Sequence, residues 1–147
     1  MTVRNAEVND VERLAVLFDA YRVFYEKSSD LIGAKKFLLE RITNNESRII
    51  IAIDKEDMVG FVQLYPIFSS TRMKKLWLLN DLFVHENNRK KGISKQLIGK
   101  CKDLCKDTGA CGLILETAKT NATGNNLYVK TDFILDENHN YYSWDLK

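Results

Sequence analysis

The chain has 147 residues, 45% of them hydrophobic and 29% charged, and a net charge of +2. That is the composition of an ordinary globular domain, long enough to bury a core without disulfide or metal, so one domain over residues 1–147 is expected. No run approaches the about 20 apolar residues of a membrane span, Met1-Thr2-Val3-Arg4 begins no signal-peptide core, and the near-balanced charge argues against a broad nucleic-acid-binding face. The expected location is the cytoplasm, with no membrane or nucleic-acid partner.

Residues 2–6 are a short strand candidate. Asn9 and Glu12 match a loose capping box, and Val11, Leu14, Phe18, Tyr21 and Tyr25 recur on one face of a helix. Residues 28–33 are turn-like. Residues 34–44 form a second helix with Phe37, Leu38, Leu39 and Ile42 as its apolar positions. The β-branched run at 48–54 is a strand, Lys55-Glu56-Asp57 a charged turn, and residues 58–65 the partner strand. Pro66, the only proline, is expected to end pairing or to sit at a bulge. A loop over 68–73 leads to a strand over 74–84.

Residues 94–108 form a helix with Leu97, Ile98, Cys101, Leu104 and Cys105 inside and Gly109 as its C-terminal cap. Residues 112–116 are a short apolar strand, so strand, helix and strand make one parallel crossover unit. A last helix spans 121–131, and residues 133–135 with 141–146 form a closing hairpin. The fold class is α/β: a mixed, mostly antiparallel sheet flanked by about four helices, with a βαβ unit. Cys101, Cys105 and Cys111, with His85 and His139 in polar turns, provide too few ligands for zinc, and no metal is expected.

The stretch from Trp77 to Ser94 organises the rest. An apolar run broken by Asn80-Asp81 leads through a polar turn into a basic corner, Arg89-Lys90-Lys91-Gly92-Ile93-Ser94, and then a helix. A strand, a cationic turn and a helix N-terminus together form a place to hold a phosphate.

Arg89 to Ser94 resembles the (Gln/Arg)-x-x-Gly-x-(Gly/Ala) signature of the GNAT superfamily of N-acetyltransferases. Leu82-Phe83-Val84 resembles the family's central strand, and Leu127-Tyr128-Val129-Lys130-Thr131-Asp132-Phe133 its later Leu-Tyr-x-Lys-x-Gly-Phe segment. Gln63-Leu64-Tyr65-Pro66 and the stretch from Trp77 to Val84 look most like the small-amine subgroup of diamine, polyamine and fungal histone acetyltransferases. Ser94 replaces the usual small residue, and Asp132 the usual glycine, where a left-handed turn is one that Asp tolerates.

The resemblance implies acetyl-CoA as co-substrate and a primary amine as acceptor, either a small molecule or a protein lysine of the histone type. A non-catalytic acyl-CoA sensor on the same fold is the alternative. Arg89, Lys90, Lys91, Gly92, Ile93 and Ser94 would grip the pyrophosphate. The backbone of Leu82, Phe83 and Val84 would hold the pantetheine and thioester if the strand splays from its neighbour; a fully paired core strand would leave no such groups. Tyr128 would protonate the departing thiolate, and Asn121 would touch the cofactor. In the diamine enzymes a Glu-Asp pair contains the base; here the pair is Asn80-Asp81, so Asp81 or Glu116 would act through water, or bulk water would suffice. Tyr21, Arg22, Phe24 and Tyr25 lie where the family builds its acceptor pocket, with Arg22 able to recognise an acidic group. A homodimer is likewise implied by the resemblance alone.

Overall fold

The run Ile49-Ile50-Ile51 forms β2 (Arg48–Asp54), and all three side chains are buried together with Ala52. Successive strand side chains point to opposite faces, so such a run must be covered on both sides. The computed structural model describes residues 1–147 in two compact units, Met1–Glu116 and Thr117–Lys147. The first supplies that cover.

β2 lies between β1 (Thr2–Asn5) and β3 (Asp57–Ser69), followed in space by β4 (Lys74–Val84) and β5 (Leu113–Ile114). Every neighbouring pair is antiparallel except β4 and β5, which run parallel at Trp77↔Leu113 and Leu78↔Ile114. Parallel neighbours need a crossover, and α3 (Ile93–Thr108) provides it. On one face α1 (Val11–Phe24) and α2 (Leu31–Thr43) bury Leu14, Phe18, Ala34 and Leu38 against Ile49, Ile51, Phe61 and Phe83. Ile50 points the other way, and α3 packs on the sheet through the expected inner face, with Leu97, Ile98, Cys101, Leu104 and Cys105 all buried. Trp77 Nε1 ties β4 to the end of that helix by donating to Thr108 Oγ1 at 3.0 Å. Gly109, left-handed at φ 64°, caps the helix as expected.

The second unit holds α4 (Ala122–Lys130). Asp132, where the family's glycine is usual, adopts φ 69°, so the turn is the left-handed one that Asp tolerates.

Several expectations are corrected. Asn9 and Glu12 form no capping box: Glu7 N donates to Asp10 Oδ2 at 2.8 Å, and Arg4 grips both oxygens of Asp10 at 2.8 and 2.9 Å. α2 starts at Leu31 rather than at 34, because Asp30 Oδ1 accepts from Gly33 N at 2.9 Å and caps it there. β3 runs straight through Pro66, which lies opposite Trp77. Trp77 N donates to Gly112 O, away from β3, so the ring nitrogen of Pro66 faces the other edge, beyond Leu64, the last residue paired to β2. The closing hairpin does not form: residues 133–147 contain no strand, and Ile134, Leu135, Tyr141, Tyr142, Trp144 and Leu146 are exposed.

Leu38 is fully buried while its neighbour Leu39 is 43% exposed. Leu38→Ala is expected to lower the unfolding free energy by about 2–5 kcal/mol and Leu39→Ala by well under about 1 kcal/mol, measured by urea denaturation; equal losses would show that α2 buries a different face.

Candidate active site

The site begins with an irregularity in β4. Gln63 pairs with Asp81 and Leu64 with Leu79, leaving Asn80 as an extra residue, a β-bulge. Before the bulge, Trp77 turns its N–H outward to Gly112 O. Without the bulge, alternation would turn residues 81 and 83 outward as well. After it, His85 N donates inward to Val59 O at 2.9 Å, so Leu82 and Val84 turn their backbone groups away from β3. β5 pairs only as far as Leu78. The outward backbone of Leu82 and Val84 therefore has no strand beside it, and the fully paired alternative is excluded.

The corner follows directly. Lys90 (φ 62°) and Gly92 (φ 79°) are both left-handed and bracket Lys91. A Cβ on Gly92 would meet nothing within 4 Å, so the conformation, not space, demands glycine there. Gly60 is the opposite case: a Cβ there would lie 3.1 Å from Phe83 O. No side chain caps the start of α3, so its first N–H groups face outward with the positive end of the helix dipole, beside the exposed Lys90 and Lys91. Ile93 is buried and anchors the turn, and Ser94 is half-buried. Arg89 is exposed and also has a structural contact. Its Nε donates to Val84 O at 3.0 Å, and its guanidinium lies 5.3 Å from the Phe24 ring and 5.5 Å from that of Phe83. It fastens the corner to the end of β4 and to α1.

The polar pair inside β4 resolves into a buried network. Asp81 is 5% exposed. Its Oδ1 accepts from Tyr21 Oη at 2.9 Å and from Asn80 Nδ2 at 2.9 Å, and its Oδ2 accepts from Gln63 Nε2 at 2.8 Å. Gln63 Oε1 in turn accepts from Ser47 Oγ at 2.8 Å. Burial holds the Asp81 carboxyl above the usual carboxylate range, opposed by these three donors. Burial beside that carboxylate also pushes the Tyr21 hydroxyl well up, and Tyr65 to about 12. Ser47 went unnoticed in the sequence, and Gln63 entered only through the small-amine resemblance; the available signal for a polar role was a glutamine inside an otherwise apolar strand.

Tyr21 lines a cavity of about 480 Å³ between α1 and α2, with Phe18, Arg22, Tyr25, Ala34 and Phe37. Tyr21 and Tyr25 meet edge to face at 5.0 Å. Arg22 is occupied: its Nη1 donates to Ser28 O at 2.9 Å and lies 3.9 Å from Asp19, so it ties the α1–α2 loop. Of the two proposed acids, only Asp81 belongs to this network; Glu116 is exposed on the chain after β5. In the second unit, Asn121 Oδ1 accepts from Gly124 N at 3.0 Å and its Nδ2 donates to Thr117 Oγ1 at 2.9 Å, so this side chain caps α4. Tyr128 is half-buried on α4 with its ring 5.6 Å from that of Phe133.

The chain matches the acetyltransferase (GNAT) family over residues 14–133, and it belongs to that family. It is 41% identical over 142 residues, 97% of this chain and 95% of the other, to YhfO of Bacillus subtilis (strain 168), named an uncharacterized N-acetyltransferase. It is 37% identical over 120 residues, 81% and 82% of the two chains, to a protein of Haemophilus influenzae named "probable acetyltransferase". Among solved structures, a crystal structure also described as a "probable acetyltransferase" superposes with a TM-score of 0.95 at 33% identity, over 100% of this chain and 99% of that one. The protein is an acetyltransferase with the family's mixed α/β fold, five strands and four helices. The family generally uses acetyl-CoA as co-substrate. No helix is long and apolar enough to cross a membrane.

The buried carboxylate has a measurable signature. An acid whose pKa is raised by folding binds more protons folded than unfolded, so its contribution to stability is greatest below the unfolded value, about 4, and declines as pH rises toward the folded one. The unfolding free energy of the wild type relative to Asp81→Asn is therefore expected to fall as pH increases above about 4. A pH-independent difference in urea denaturation would show that the carboxylate is not held above its usual range.

Proposed function

We propose that the protein is an acetyl-CoA-dependent N-acetyltransferase that acetylates a primary amine by direct attack in a ternary complex. The observation that carries this reading is the outward backbone edge at Leu82 and Val84 leading into the left-handed corner at the start of α3. The edge, with Phe83 between its two outward residues, would receive the pantetheine arm and polarise the thioester carbonyl. The corner would receive the pyrophosphate through the N–H groups of Gly92, Ile93 and Ser94 and the charges of Lys90 and Lys91, while Arg89 holds it in shape.

Direct attack is favoured over an acyl-cysteine because the proposed segments contain no thiol, and burial pushes the Cys101 thiol up to about 12, far from a thiolate at neutral pH. In this reading Tyr128 protonates the leaving thiolate, and Asn121 contributes to cofactor binding through the end of α4 that it caps. Asp81 or Glu116 receives the amine's proton, and the buried hydrogen-bond network favours Asp81. The acceptor would enter the aromatic cavity between α1 and α2, which suits an amine on an apolar body. The small-amine subgroup remains part of the reading on the strength of residues 63–66 and 77–84. So do a cytoplasmic location and a homodimer, the latter supported by exposed Tyr142, Trp144 and Leu146, which alternate with polar residues as an added strand would.

The test is a screen of alkyl, aromatic, poly- and peptidyl amines with acetyl-CoA, reading free thiol. Amine-dependent release is expected; tight acetyl-CoA binding without release with any amine would favour the sensor. Lys90→Ala combined with Lys91→Ala is expected to raise the KM for acetyl-CoA about tenfold with little change in kcat. Tyr128→Phe is expected to lower kcat on the order of 100-fold and to spare the KM for acetyl-CoA. Unchanged turnover would remove Tyr128 from the acid role.

A further inference from the structure

Asp81 is a buried carboxylate without a cation. It forms no ion pair with any Lys, Arg or His, and only neutral donors hold it. A buried charge that is not paired is expensive, and an apolar residue would pack that position at lower cost. Asp81 does not line the cavity between α1 and α2; Tyr21 does, and the Tyr21 hydroxyl donates to Asp81 Oδ1 at 2.9 Å. The Tyr21 ring is clamped by Phe61 at 5.7 Å and Phe83 at 5.9 Å, both edge to face, and by Tyr25 on its own helix. One side chain thus connects the cavity to the buried acid, and its ring is packed on several sides.

We propose that Tyr21 is a catalytic residue, carrying the proton of the acceptor amine from the α1–α2 cavity to Asp81, which acts behind it as a positioning residue and proton store. The proposal rests on the acetyl-transfer reading above and adds the route by which the amine loses its proton. As the amine nitrogen bonds to the thioester carbonyl carbon, its proton moves to Tyr21 Oη while the hydroxyl proton of Tyr21 moves to Asp81 Oδ1. The C–S bond then breaks, and the thiolate takes its proton from the separate acid proposed above. Asp81, now a neutral acid, returns one proton through Tyr21 to solvent after the amide leaves. Tyr21 never accumulates as phenolate, which its surroundings disfavour. The carboxylate's raised affinity for protons suits it to receive one.

The groups facing Asp81 are Tyr21 from α1, Gln63 and Tyr65 from β3 and Asn80 from β4, with Arg41 of α2 acting on Tyr65. Apart from Asp81, none of these side chains is a carboxylic acid or an imidazole, so loss of the acid limb in Asp81→Asn assigns it to that carboxylate.

The experiment uses the full chain, acetyl-CoA and whichever amine of the screen releases most thiol. Tyr21→Phe and Asp81→Asn are each expected to lower kcat on the order of 100-fold, leave the KM for acetyl-CoA unchanged and abolish the acid limb of kcat against pH. The double variant is expected to fall no more than about threefold below either single variant, because the two groups act as one unit. Should Tyr21→Phe not fold, Asp81→Asn carries the test through the same kcat and acid limb. Wild-type kcat with an intact limb in the variant tested, or losses that multiply in the double variant, overturns the relay alone. No thiol release by the wild type overturns the acetyl-transfer reading and the relay with it.

Discussion

The extra residue at Asn80 is the constraint on which the site depends. One residue inserted into one strand reverses the outward and inward roles of every backbone group after it. Before the bulge β4 turns Trp77 toward β5; after it, Leu82 and Val84 take the outward positions, where β5 no longer follows. The same insertion sits beside Asp81, and the Asn80 amide reaches back to that carboxylate at 2.9 Å. An open backbone edge and a buried acid thus arise from one local defect in β4.

The energetics of the acid set it apart from the molecule's other buried carboxylate. Asp10 is neutralised by Arg4, which binds both its oxygens, and Arg13 lies 3.5 Å away, so its carboxyl is held below the usual range. Asp81 has three neutral donors and is held above it. Hydrogen bonds satisfy the oxygens without supplying a countercharge, so desolvation outweighs them. Asp10 reads as a structural clamp between β1 and α1. Asp81 is buried with no charged partner.

The basic corner illustrates how charge and geometry divide the work. Arg89 looks like the strongest anion ligand in the sequence, yet its side chain turns back to Val84 O and to two aromatic rings. These contacts help to hold the turn. The exposed lysines and the uncapped N–H groups of α3 lie at the same corner. Phe83 touches both Arg89 and Tyr21, so a single packed aromatic group links the cofactor corner to the buried acid.

Much of this was legible in the chain. The β-branched run of β2, the helical period of α3 and its glycine cap, and the strand–corner–helix order of residues 77–94 are local patterns, and local patterns determine local structure. The sequence by itself therefore determined the α/β class, the crossover unit and the placing of a basic corner between a strand and a helix. What it did not determine depends on partners distant in the chain. Pro66 was misjudged because its tolerance depends on where β2 ends. The hairpin of 133–135 with 141–146 did not form, since pairing between segments depends on what packs against them and not on the segments alone. The hydrogen bonds of Tyr21 and Gln63 to Asp81 were not legible, since their meeting spans three elements. Only the tertiary structure decided that the bulge falls at Asn80, that Arg89 Nε bonds back to Val84 O and that Asp81 is buried against the Tyr21 hydroxyl, because register, side-chain pairing and burial are properties of elements packed together.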